Sequence, residues 1–119
     1  MLVKSRANPP IVFEPVYSVC RLVPSVFAFF TEDFNQDGTT DILTAGNFYG
    51  VLPYEGRYDA GFGNVSLVTT SHGFNTLSPI QSGFIASGEV RDIKQIKLAD
   101  GRKCLIVARN NNSPLFFTW

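Results

Sequence analysis

Asp33, Asn35, Asp37 and Asp41 stand close together in the chain, and Gly38 directly follows the third of them. In the run Asp33-Phe34-Asn35-Gln36-Asp37-Gly38-Thr39-Thr40-Asp41, side-chain oxygens fall at loop positions 1, 3, 5 and 9, with glycine at position 6, where the chain must turn sharply. Oxygen donors on alternate residues of a tight loop can point inward together. A hard divalent cation such as calcium asks for this, taking six to eight oxygens at about 2.3–2.6 Å. Asp33, Asn35, Asp37 and Asp41 are expected to supply side-chain oxygens, and Thr39 its backbone carbonyl. The plainer alternative is an Asp-rich hairpin turn that never takes up an ion.

An EF-hand closes its loop with a bidentate Glu at position 12. That position is Thr44 here, so the EF-hand reading fails at its most demanding ligand. The flanks disagree as well. Val26-Phe27-Ala28-Phe29-Phe30 precedes the loop and Ile42-Leu43-Thr44-Ala45 follows it, and both are rich in strand formers. The loop is expected to join two strands.

With those flanks, the pattern Asp-Phe-Asn-x-Asp-Gly-x-x-Asp-Ile-Leu resembles the calcium loop of FG-GAP and VCBS repeats, the blades of integrin-α-like β-propellers. Other stretches extend the likeness to the C-terminal end of bacterial VCBS-repeat proteins: Ala45-Gly46-Asn47-Phe48-Tyr49-Gly50, Glu55-Gly56-Arg57-Tyr58-Asp59-Ala60, Ser82-Gly83-Phe84, Gly88-Glu89-Val90-Arg91-Asp92-Ile93 and Val107-Ala108-Arg109-Asn110-Asn111. The resemblance covers about residues 14–117. It implies a calcium-stabilised, non-enzymatic propeller segment. Its role would be an extracellular or cell-surface binding or scaffold module, with a protein or glycan as ligand. Two alternatives stand beside it: an accessory fragment of a larger propeller-containing hydrolase, and a small self-assembling glycan-binding propeller.

The 119 residues allow at most one ordinary domain. A hydrophobic share of 45% with 17% charged residues is that of a folded chain. Ten basic and ten acidic residues cancel, which gives no sign of a nucleic-acid or anionic-membrane partner. No window holds a sustained 3.6-residue apolar period, and ten glycines and seven prolines favour short strands and turns. The expected class is all-β. Ile11–Phe30 is apolar but interrupted by Glu14, Pro15, Arg21 and Pro24, so membrane insertion is not expected. The first ten residues lack the apolar core of a secretory signal. Members of the family are typically exported, so the chain is expected to be a C-terminal piece of a longer exported protein.

A second, degenerate copy of the loop motif lies 63 residues on, where Asp37-Gly38 aligns with Asp100-Gly101, Ile42-Leu43 with Leu105-Ile106, Ala45 with Ala108 and Asn47 with Asn110. Self-similarity at fixed spacing signals a repeat architecture. Ile96, Leu98 and Cys104 replace the oxygen ligands, so one metal site is expected and not two. Strands are expected at Ile11–Phe13, Tyr17–Leu22, Val26–Thr31, Asp41–Asn47, Asn64–Thr69, Glu89–Leu98, Lys103–Arg109 and Leu115–Thr118. They divide into repeat 1 (about 11–69) and repeat 2 (about 84–118), or about two four-stranded antiparallel blades of a partial β-propeller. Two blades leave faces and edges bare, so self-association or missing upstream blades are expected.

His72 lies in Ser71-His72-Gly73-Phe74, an expected loop, and the chain has no G-x-S-x-G or other catalytic elbow, so no catalytic role is assigned to it. Arg57 and Asp59 are expected to pair structurally. Lys94, Lys97, Arg102 and Lys103 read as a solvated strand face. Most of the eleven phenylalanines, and Trp119, are expected in packing rather than on a glycan platform. Cys20 and Cys104 permit one disulfide but follow no metal-ligand spacing, and the expected state is two buried free thiols.

Overall fold

A computed structural model describes residues 26–47, 50, 61–69, 71 and 73–119. The strands expected at 11–13 and 17–22, Cys20, the Arg57–Asp59 pair and His72 lie outside the described residues.

Two antiparallel up-and-down sheets form the fold. The first has four strands in the order β1 (Val26–Glu32), β2 (Asp41–Gly46), β3 (Asn64–Val68) and β4 (Phe74–Leu77). The second has three, β5 (Val90–Lys97), β6 (Lys103–Arg109) and β7 (Leu115–Thr118). The all-β expectation holds. The expectation of four strands in each sheet does not hold among the described residues, where the second sheet stops at three. Phe74–Leu77, which no expected strand covered, pairs with β3 from Val65↔Leu77 to Val68↔Phe74. One helical turn, α1 (Pro79–Ser82), was also unexpected. Ser78 caps it in a capping box with Gln81, and Gly83 ends it in the left-handed region at φ 72°.

Side-chain alternation decides which face of each sheet is inside. Ala28, Leu43 and Val65 of the first sheet meet Ile93, Leu105 and Val107 of the second in one shared core. Burying each Val or Leu of this kind contributes about 1.5–3 kcal/mol. The connection between the sheets joins that core, with Phe84 and Ala86 both buried. Phe84 leans on the backbone of Gly63, whose φ of +90° suits glycine and whose missing Cβ leaves room for the ring.

The first strands of the two sheets, β1 and β5, lie against each other. Each carries a register shift at its beginning, between Val26 and Ala28 in β1 and between Val90 and Asp92 in β5. The extra residues are Phe27 and Arg91, and the Arg91 guanidinium lies 4.6 Å from the centre of the Phe27 ring. At the other end, Lys103 Nζ meets Glu32 Oε1 at 2.9 Å. Lys103 therefore joins the two sheets and does not belong to a merely solvated face. The two contacts set β1 and β5 running the same way, so the Asp33–Thr40 and Leu98–Arg102 turns project from one end of the molecule.

Candidate functional site

The β1–β2 turn is built by its own aspartates and asparagine. Asp33 Oδ1 accepts from Asp37 N–H at 3.1 Å, and Asp33 Oδ2 from Gly38 N–H at 2.8 Å. Asn35 Oδ1 accepts from the same Asp37 N–H at 3.2 Å, while its Nδ2 donates to Asp37 Oδ2 at 3.0 Å. Asp37 Oδ1 takes Thr39 N–H at 2.7 Å. Gln36 at φ 59° and Gly38 at φ 86° supply the left-handed steps that fold the loop back on itself. The Thr39 N–H bond, followed by the Asn35 amide, holds the Asp37 carboxyl below the usual carboxylate range.

Asp41 behaves differently. It is 0% exposed, and its two oxygens accept from Phe34 N–H at 3.1 Å and Val68 N–H at 2.9 Å. It thus clamps the start of the loop to the end of β3. Of the five expected ligand residues, Asp33 and Asn35 meet at the Asp37 N–H, while the Asp37 carboxylate accepts from the Asn35 amide and from Thr39 N–H. Asp41 is turned inward to the backbone. Among the described residues, no three of His, Cys, Asp and Glu converge in a way suited to a metal. The donor set fits a hard cation in chemical kind and in loop spacing; the carboxylate at position 9 fits a backbone clamp at least as well.

The β5–β6 turn is shorter. Leu98 O accepts from Gly101 N–H at 2.9 Å, Leu98 N–H donates to Arg102 O at 2.8 Å, and Gly101 sits at φ 88°. Asp100 accepts from Arg102 through the backbone N–H at 3.0 Å and through Nε at 2.7 Å. Those bonds, the backbone one first, hold its carboxyl below the usual range. Asp100 thus braces its own turn.

Three features were not assigned a role from the sequence. Asn47, buried and at φ 87°, donates to Gly61 O at 2.7 Å and Gly88 O at 3.1 Å and accepts from Gly61 N–H at 3.2 Å. It ties the first sheet to the connection that leads into the second. Glu89, also buried, binds Arg91 at 3.2 Å and Asn110 Nδ2 at 2.8 Å. The recurrence of Ala-x-Asn at 45–47 and 108–110 was the available signal, since Asn47 and Asn110 both serve as ties. The third feature is a cleft of about 370 Å³ between the sheets. Its floor is formed by Leu43, Val65 and Leu105, and Trp119 stands at its rim, edge-on to Phe34 with ring centres 5.4 Å apart. Periodicity carries no signal for such a space. Cys104 is a buried free thiol.

Comparison with family models, curated proteins and solved structures returns no match for this chain.

Proposed function

We propose that the chain is a non-enzymatic, calcium-stabilised segment of an integrin-α-like β-propeller, acting as an extracellular binding or scaffold module for a protein or glycan. The observation that carries the reading is the placement of the Asp33–Asp41 loop. It forms the first turn of a four-stranded up-and-down sheet, and that sheet's first strand lies beside the first strand of a second up-and-down sheet. Neighbouring blades of a ring meet in this way. Corresponding register shifts at Phe27 and Arg91, and Asp-Gly turns at one end, support a common origin for the two units.

Asp33, Asn35, Asp37 and Thr39 would hold the ion, with Asp41 added on release of its backbone bonds. Calcium, when bound, supplies positive charge against converging carboxylates. Without it, the loop keeps its shape through the N–H groups of Asp37, Gly38 and Thr39. Exposed Phe29, Ile80 and Phe116, together with uncharged β7 at the edge of its sheet among the described residues, support association with further blades or further copies.

Thermal unfolding with and without calcium tests the reading. Calcium is expected to raise the Tm of the wild-type chain in proportion to the logarithm of its concentration above Kd. Asp37→Ala should abolish that response and Asp100→Ala should leave it intact. An equal response in wild type and Asp37→Ala, or none in either, would reduce the loop to a hairpin turn.

A further inference from the structure

The two sheets meet along β1 and β5 and leave the cleft between their remaining strands. Its walls come from both sheets, and among the described residues no ionisable side chain lines it. A cavity of about 150 Å³ lined by apolar residues accepts benzene, so about 370 Å³ accommodates an apolar body of roughly two fused six-membered rings. The rim supplies uncharged donors. Gln81 uses Oε1 to accept Ser78 N–H at 2.9 Å, which leaves its Nε2 hydrogens for a ligand. Among the described residues, neither the Trp119 indole N–H nor the Thr118 hydroxyl is engaged by the chain. Apolar floor, neutral walls and free N–H and O–H donors at the mouth together describe a small-molecule site.

We propose that this cleft binds a small uncharged ligand that has a fused-ring-sized apolar body and a carbonyl or ether oxygen. The apolar body lies on Leu43, Val65 and Leu105, and the oxygen accepts from Gln81 Nε2 or Trp119 Nε1. A carboxylate ligand is disfavoured, because among the described residues no cation lines the cleft to offset its lost hydration. The site is independent of the cation reading of the Asp33–Asp41 loop and stands if that reading falls.

Trp119 is the chain's single tryptophan, so its indole N–H gives one unambiguous signal in an amide correlation spectrum. The full ¹⁵N-labelled chain is titrated with coumarin, a neutral bicyclic lactone, and separately with 1-naphthoate, of similar body but charged. Coumarin should move the indole signal saturably at millimolar concentration or below, and 1-naphthoate should bind at least about tenfold more weakly. Leu77→Phe narrows the cleft and should weaken coumarin by at least about tenfold. Leu67→Phe serves the same purpose if the dispersion of the first variant's spectrum collapses. Phe116→Ser, on the outer face, should leave binding unchanged. No saturable shift, equal binding of the two probes, or full binding in a narrowed cleft overturns the proposal. An indole shift that depends on protein concentration without coumarin would also overturn it, by giving the cleft to a second copy of the chain.

Discussion

Asp41→Ala in the presence of a calcium chelator separates a backbone clamp from a metal ligand. The carboxylate is fully buried and receives Phe34 N–H at 3.1 Å and Val68 N–H at 2.9 Å. A hydrogen bond to a charged acceptor is worth about 1.5–3 kcal/mol, so the pair amounts to about 3–6 kcal/mol. Phe34 is half-buried, and its freed N–H can reach water, which brings the expected loss to about 3–4 kcal/mol. That is a large fraction of the about 5–15 kcal/mol that stabilises an ordinary domain. Asp41→Asn keeps one acceptor oxygen and turns an NH₂ toward the other donor, for a loss of about 1.5–3 kcal/mol. Urea unfolding followed by Trp119 emission and far-UV circular dichroism reads both. With m near 1.5 kcal/mol per molar, a loss of about 3 kcal/mol lowers the midpoint by about 2 M. A midpoint shift below about 0.5 M in chelator, with m unchanged, would refute the clamp. A large loss that appears only with calcium present would make Asp41 a ligand first.

Gly63→Ala drives a Cβ into the Phe84 ring at a left-handed backbone position and is expected to cost about 2–4 kcal/mol, lowering Tm by about 10 °C or more. Gly38→Ala, also left-handed but with open space around it, should cost only about 1 kcal/mol, and differential scanning calorimetry compares the two. The Asp100 carboxyl titrates below its ordinary value of 3.8 because Arg102 donates to it. A depressed folded value means that this brace is fully present above the unfolded value and is lost as pH falls through the folded one. The Arg102 amide proton shift should therefore titrate with a midpoint below 3.8, and a midpoint at or above 3.8 would remove the brace.

The sequence made β1, β2, β3, β5, β6 and β7 visible as apolar runs between turn residues, and no boundary moved by more than one position. β4 escaped because Phe74-Asn75-Thr76-Leu77 is short and polar at its centre, and its strand character comes from pairing with β3. The helical turn was legible and passed over: Ser78 followed by Pro79 and Gln81 spells an N-cap, an N1 proline and a capping box. The oxygen-rich loop was visible as a set of donors, but spacing cannot tell which lone pairs the backbone takes. Asp41 is claimed by Val68, 27 residues away, and only the three-dimensional pairing of β2 with β3 brings them together. Nor could a run of letters show that Phe27 and Arg91 are the extra residues of two matched irregularities, facing each other across β1 and β5.

The passage from Gly83 to Glu89 joins the sheets while forming part of their interior. Phe84 and Ala86 are buried, Ala86 N–H donates to Phe62 O at 2.7 Å, and Asn47 holds Gly88 O at 3.1 Å. Proteins that exchange arms between copies do so by swinging a connector open as a hinge. Here the hinge would first have to expose its own aromatic ring and surrender its bonds to both neighbours, before any contact in a partner could replace them. Exchange of one sheet between copies is therefore expected to require opening part of the shared core. If copies associate, they are expected to do so as whole, already folded units, each chain keeping both of its sheets.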